Sequence, residues 1–274
     1  MGGRVAARNS WPWIVSFVSK GDNSKLYCSG SLIDPHWILT TAHCFVIGEY
    51  EFPATHWKYI AGNHFLDELD PHEQVLEARR VFLHPKYIRS NNYSPGDYDI
   101  ALVQLRWPAN VTQQVRPICL PNDTTSDVVD VDSHFVAGWG NVYDTTRYNR
   151  SRVLKELRVD IIPREVCNGN SSYGGNVTRR QLCAGHKFGG QDACFGDSGG
   201  PLQYSNKDGT WTIEGLVSWG RGCARDNLYG IYTDVTALLA FIKETMQGKL
   251  TSFCNVVILV FMASVLIFLI NGRH

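Results

Sequence analysis

Hydrophobic positions come in short bursts along most of this chain. Between residues 11 and 240, runs such as 13–18, 37–40, 100–105, 135–137 and 215–218 are cut by Gly, Pro, Asn and Asp. Val, Ile, Trp and Tyr are common in them and suit a pleated, half-buried surface. Short runs separated by turn residues predict an all-β antiparallel sandwich or barrel. One helix is legible near the end: Val235, Leu238, Leu239, Ile242 and Met246 recur at helical spacing, and Gly248 follows. Its apolar stripe predicts a docking face. Residues 250–270 form an uncharged run broken only by Thr251, Ser252, Asn255 and Ser264. As helix such a run would span about 30 Å, enough for a bilayer core. The sequence therefore divides into a globular domain, 1–247, and an expected membrane anchor, 248–274. That anchor reads first as a spanning helix with a short tail, then as a lipid-anchor signal.

Composition narrows the class. The 274 residues are 44% hydrophobic and 19% charged, which is globular. Lys+Arg and Asp+Glu balance at 26 each, so nothing favours nucleic acid as a partner. The acidic cluster Asp123, Asp127, Asp130 and Asp132 sits among Thr, Ser and Val and reads as a solvated connection. Eight cysteines suggest an oxidising compartment. Six Asn-X-Ser/Thr sequons, at Asn92, Asn110, Asn122, Asn149, Asn170 and Asn176, agree with passage through the secretory pathway. The expected location is the cell surface or a secretory membrane, with the globular domain outside the cytosol.

Three motifs carry chemistry: Thr41-Ala42-His43-Cys44, Asp99-Ile100-Ala101-Leu102 and Gly196-Asp197-Ser198-Gly199-Gly200-Pro201. They supply a base, an orienting acid and a nucleophile. A serine oxygen is a weak nucleophile until a histidine takes its proton, and a buried carboxylate must hold that imidazole in one tautomer. Residues 196–200 also fit G-x-S-x-G, but α/β-hydrolases run Ser, Asp/Glu, His along the chain. Here the order is His, Asp, Ser, which rejects that fold.

On these motifs and their neighbouring cysteines the chain, over residues 2–247, resembles the trypsin/chymotrypsin-like serine proteases. The resemblance implies two packed six-stranded antiparallel barrels, with His43 and Asp99 from the first and Ser198 from the second. It implies catalytic roles for His43, Asp99 and Ser198 and an oxyanion hole of the Gly196 and Ser198 N–H groups. Asp197 corresponds to the activation partner, which receives the new N-terminal ammonium after propeptide cleavage. That family begins its mature chain with two further residues before a glycine pair; here only Met1 precedes Gly2-Gly3. Met1 is therefore expected to be internal to a longer zymogen. Cys119 resembles the cysteine that ties the domain to a propeptide. Cysteine arithmetic alone leaves the bridges open; the resemblance implies Cys28–Cys44, Cys167–Cys183 and Cys194–Cys223. Where relatives carry one more bridge, this chain has His134 and Tyr204. Cys254 is an idle thiol or a palmitoylation candidate.

Asp192 matches the pocket-floor aspartate of the trypsin-like branch, with Gly220 and Gly230 as pocket-wall glycines. A buried carboxylate there needs a cation, so Arg or Lys before the scissile bond is implied. Ala193 replaces a hydroxyl residue, which favours Arg over Lys. Ser218-Trp219-Gly220 is expected to pair with substrate backbone as an added strand. Tyr229 raises a sodium site and the loop 63–73 a calcium site; both rank below structural readings, and no metal or cofactor is expected. Expected partners are basic-residue protein substrates, serine protease inhibitors and, through 250–270, a membrane. The rival reading is a catalytically silent binding module on the same fold.

Overall fold

The computed structural model describes residues 1–21, 25–47, 49–89, 96–122, 134–145 and 147–248. Its first strands are β1 (Arg4–Val5), β2 (Ile14–Ser19), β3 (Leu26–Asp34), β4 (Trp37–Thr40), β5 (Val46–Ile47) and β6 (Tyr50–Glu51). Next come β7 (Trp57–Ala61), β8 (Gln74–Leu76), β9 (Ala78–Leu83) and β10 (Ala101–Leu105). The second half has β11 (His134–Gly138), β12 (Lys155–Ile162), β13 (Gln181–Gly185), β14 (Pro201–Ser205), β15 (Trp211–Trp219) and β16 (Gly230–Asp234). Helices are short: α1 (Arg164–Cys167) and α2 (Leu239–Met246).

The all-β expectation holds, but two closed six-stranded barrels do not form. In the second half β12, β11, β14, β15, β16 and β13 pair in that order, and β13 returns to β12, closing a six-stranded ring. β1 adds to its outside through Arg4↔Glu156. The first half is an open seven-stranded sheet, β8-β7-β2-β3-β4-β10-β9. Its two edges, β8 and β9, are separated in the chain by Glu77 alone. Closure would need these edges to pair, yet even the commonest tight hairpin uses two loop residues. The chain itself therefore bridges the gap where a ladder was expected.

The membrane segment is a second correction. No helix among the described residues is long and apolar enough to cross a membrane. The run 250–270, Cys254, Asn92 and the acidic cluster at 123–132 lie outside the described residues. The C-terminal stripe does become helical. Thr236–Leu238 forms a 3₁₀ turn ending the unit 1–238, and α2 follows with Leu239, Phe241 and Ile242 buried.

Each sheet buries its own core. Val15, Phe17, Leu32, Leu39, Phe45 and Tyr59 are fully buried in the first. Phe17 meets Tyr59 edge-on at 4.7 Å, and the Tyr59 hydroxyl donates to the Ala54 carbonyl at 2.7 Å. The ring core is Val136, Leu157, Val159, Ala184, Leu202 and Tyr232. Burying each large apolar side chain contributes about 1.5–3 kcal/mol. Trp11, Trp13, Phe135 and Trp211 cluster where the halves meet. Both buried indoles are satisfied, Trp11 by Glu156 at 2.9 Å and Trp13 by Gln203 at 2.5 Å, which offsets the cost of burying an N–H.

Candidate active site

His43 sits on a one-turn 3₁₀ helix, Ala42–Phe45, that starts just past β4. The Cys28–Cys44 disulfide ties that turn to β3. Its Nδ1 lies 2.8 Å from Asp99 Oδ2, and its backbone N–H donates to Asp99 Oδ1 at 2.9 Å. Asp99 is 4% exposed. Two groups of the ring complete its shell: the Ser218 hydroxyl donates to Oδ2 at 2.6 Å, and the Thr233 hydroxyl donates to the Asp99 carbonyl at 2.8 Å.

Local backbone devices aim these side chains. Ser218 falls where the β15–β16 register shifts, between Val217 and Trp219; such bulges re-aim a side chain. Tyr98, just before the acid, has φ +51°, unusual for a bulky residue. Its ring stacks on His84 at 4.6 Å and lies under the Arg180 guanidinium at 4.2 Å. Asp97 pairs with Arg180 and accepts from Thr178 at 3.1 Å. The kink that turns Asp99 inward is thus clamped from both sides.

Burial alone would push the Asp99 carboxyl up, but the His43 charge and hydrogen bonds and the Ser218 hydroxyl outweigh it, and the carboxyl sits below its ordinary range. For His43 burial disfavours the cation, and Asp99 more than compensates, so the imidazole lies above its ordinary value. The imidazole is thus a stronger base than a free histidine.

The turn from Cys194 to Gly200 carries Ser198. Here the N–H groups of Cys194, Asp197, Gly199 and Gly200 are bonded to Asp197 Oδ2 and the Cys194, Val217 and Asp197 carbonyls. Among the described residues the N–H groups of Phe195, Gly196 and Ser198 have no acceptor. Gly196 has φ +94°, a conformation open to glycine at little cost. The Ser198 hydroxyl makes no hydrogen bond among the described residues; free sites are commonly loose and tighten around substrate. Asp197 Oδ1 accepts from the Gly140 N–H at 2.7 Å and Oδ2 from the Cys194 N–H at 3.0 Å. The Met1 ammonium donates to the Asp192 carbonyl at 2.6 Å, not to the Asp197 carboxylate.

His43 and Ser198 line one cavity of about 320 Å³ together with Asp192, Ala193, Ser218, Trp219, Gly220 and Gly230. At its floor Asp192 is 5% exposed. Oδ2 accepts from the Ala224 N–H at 3.1 Å, but Oδ1 has no partner, and neither does the buried Tyr232 hydroxyl. A Cβ on Gly230 would lie 3.0 Å from Asp192 Oδ1 and 3.2 Å from that hydroxyl. Burial pushes the Asp192 carboxyl up to about 7.

The family model described as Trypsin matches residues 1–242. The chain belongs to the trypsin family. It is a serine protease by that membership, and its fold implies protein substrates and inhibitors. The three disulfides expected of the family are formed: Cys28–Cys44, Cys167–Cys183 and Cys194–Cys223. His134 and Tyr204 are cross-strand partners with rings 5.5 Å apart, an aromatic pair.

Other expected residues fall as follows. Cys119 is free and exposed. Asn110, Asn122, Asn170 and Asn176 are exposed and Asn149 is half-buried. Tyr229 is buried, its carbonyl taken by the Tyr173 hydroxyl at 2.6 Å. In the loop 63–73, Asp70 is held by Arg8 at 2.9 Å, and Asn63 is buried with Oδ1 unpartnered. One group of three potential metal ligands occurs among the described residues, Cys28, His43 and Cys44. Its two sulfurs are a disulfide and its imidazole is held by Asp99, which makes a poor metal site.

The sequence reading missed several supports of this trypsin-family site. Tyr98 and Thr233 hold Asp99. Gly138 and Gly140 seat Asp197, since a Cβ on either would approach its carboxylate oxygens to 2.1 or 2.2 Å. Arg150 covers Gly196. Glycines flanking Trp139 were a visible signal; the other residues gave none.

Proposed function

We propose that this chain is an endopeptidase that cleaves proteins after Arg, and less well after Lys, through a covalent acyl-enzyme. Ser198 Oγ attacks the scissile carbonyl as His43 Nε2 takes its proton. Asp99 fixes Nδ1–H and stabilises the imidazolium. The Gly196 and Ser198 N–H groups receive the oxyanion, a charge present only around the transition state; one such donor contributes about 3–4 kcal/mol. The carbon–nitrogen bond then breaks as His43 gives the proton to the leaving amine. Water, activated by the same imidazole, hydrolyses the ester and regenerates Ser198.

The observation that carries this reading is the cavity itself. It joins the His43–Asp99 pair to Ser198 at one end and to a buried carboxylate with an unpaired oxygen at the other. A guanidinium offers that carboxylate a two-pronged partner. Ala193 supplies no hydroxyl for a lysine ammonium, which favours Arg. Trp219 and Gly220 would present backbone to the substrate, while the Ser218 side chain is committed to Asp99. Three disulfides and exposed sequons suit work outside the cytosol.

The test is a fluorophosphonate label followed by paired peptide substrates. Labelling at Ser198 and a higher kcat/KM for Arg than for Lys or Ala are expected. A folded protein that neither labels nor cleaves favours a silent binding module. Equal or better cleavage after Lys sinks the Arg preference.

A further inference from the structure

We propose that Arg150 is a positioning residue that latches the Phe195–Gly196 peptide so that the Gly196 N–H faces the oxyanion. This rests on the reading of Gly196 and Ser198 as oxyanion donors. In a trans peptide the carbonyl and the N–H point in opposite directions. Fixing the Phe195 carbonyl therefore fixes the Gly196 N–H. Gly196, at φ +94°, lets the preceding peptide turn over at little steric cost. The reversed peptide would put a carbonyl acceptor where the site needs a donor.

Two donors oppose that reversal. The Asn141 N–H reaches the Phe195 carbonyl at 2.8 Å, and Arg150 Nη1 reaches it at 2.5 Å. Arg150 also holds the other donor in place: Nη1 lies 2.5 Å from Asn141 Oδ1. Its Nε donates to the Leu26 carbonyl at 3.4 Å, which ties the latch to β3 of the open sheet. The guanidinium sits so close to Gly196 that a Cβ there would come within 2.3 Å of Nε. Hydrogen bonds from a charged donor are about twice as strong as neutral ones, so Arg150 is the stronger of the two restraints. Arg150, Asn141 and Leu26 do not line the Asp192 cavity; of this contact set only Phe195 does.

An interaction made only in the transition state changes kcat and leaves ground-state binding alone. The experiment compares wild type, Arg150→Met and Arg150→Lys, each as the full chain. It measures kcat and KM on an arginyl peptide, affinity for a peptidyl-arginine aldehyde, and affinity for benzamidine. The aldehyde forms a tetrahedral adduct that uses the oxyanion donors; benzamidine is an amidinium that probes the cavity floor alone. Arg150→Met is expected to lower kcat and aldehyde affinity together by about ten- to a hundredfold. KM and benzamidine affinity should stay within about twofold, and Arg150→Lys should recover part of the loss. Wild-type kcat in Arg150→Met overturns the latch, as does a parallel loss of benzamidine binding. If the methionine variant does not fold, Arg150→Lys decides on the same criteria. An unreactive wild type overturns the reading of the site and the latch with it; a reactive wild type with unaffected variants overturns the latch alone.

Discussion

Replacing Asp192 by Asn should make this protein more stable and less active, and pH should control the first effect. Burial moves the Asp192 carboxyl from 3.8 to about 7. A shift of that size, at 1.36 kcal/mol per unit, corresponds to about 4 kcal/mol of destabilisation once the group is ionised. At 5% exposure solvent screens little of it. The sign follows from proton counting. Between about pH 4 and 7 the native state holds a proton that the unfolded state has released, so stability falls as pH rises through that window. Below it both states are protonated and the penalty vanishes; above it the full penalty is present. Asn keeps an acceptor for the Ala224 N–H and carries no charge at any pH.

Urea denaturation of wild type and Asp192→Asn at pH 4, 6 and 8 reads this directly. The variant should match wild type near pH 4 and gain up to about 4 kcal/mol by pH 8. Its kcat/KM on an arginyl substrate should fall by about a hundredfold or more, because the guanidinium then enters a buried site without its counter-charge. In wild type, KM for that substrate should rise as pH drops below about 7, as protons compete with the cation for Asp192. A stability difference that is flat with pH, or a variant less stable at pH 8, refutes the reasoning.

Gly140→Ala would place a methyl 2.2 Å from an Asp197 oxygen; unfolding should show a loss of about 1–3 kcal/mol, and fluorophosphonate labelling should slow as the oxyanion turn shifts. Ser218→Ala removes a donor to Asp99 from a buried pair, which should cost about 2 kcal/mol of stability. A less satisfied Asp99 attracts the imidazolium more strongly, so the acid limb of the kcat/KM profile should move to higher pH; movement to lower pH contradicts the assignment. The Cys194–Cys223 bridge spans 29 residues, and replacing both cysteines with Ser should lower denaturation free energy by roughly 3–4 kcal/mol. Arg cleavage should fall in the same variant, because Asp192 and Ala224, which are hydrogen-bonded to each other, flank the two bridged cysteines.

What the sequence disclosed about this site is what is encoded locally. His43 beside Cys44, Asp99 beside Ile100 and Ser198 between Asp197 and Gly199 mark side chains by their immediate neighbours. Other features depend on how distant segments meet. Hydrophobic patterning says which face of a strand is buried, not which edges pair, so the open first sheet could not be read from it. The bulge that turns Ser218 toward Asp99 is a register event between β15 and β16 with no residue signature. The positive φ of Tyr98 contradicts local preference for an aromatic residue. It persists because Asp97, Arg180 and His84 fix the turn from outside. Arg150 is the middle residue of the Asn149 sequon, a motif that carries no catalytic signal; its place over Gly196 follows from a fold that brings the two stretches together.

The buried aspartates of this site differ in how fully they are satisfied, and that difference separates scaffold from ligand site. Asp99 takes the His43 Nδ1–H, the His43 backbone N–H and the Ser218 hydroxyl. Asp197 takes two backbone N–H groups, one on each oxygen. Asp192 has the Ala224 N–H on one oxygen, nothing on the other, and beside it an unpartnered Tyr232 hydroxyl. A buried charge left in that state is a standing cost to the fold. Under the proposed preference for Arg, a cation would supply the missing donors, and binding would recover energy that folding left unused. The same incompleteness at Asp99 would leave a buried charge under-compensated and push the His43 imidazole up further, and at Asp197 it would loosen the oxyanion turn. Satisfying Asp192 internally, by a nearby Lys or Arg, would therefore stabilise the empty protein and remove the reason for a basic side chain to enter.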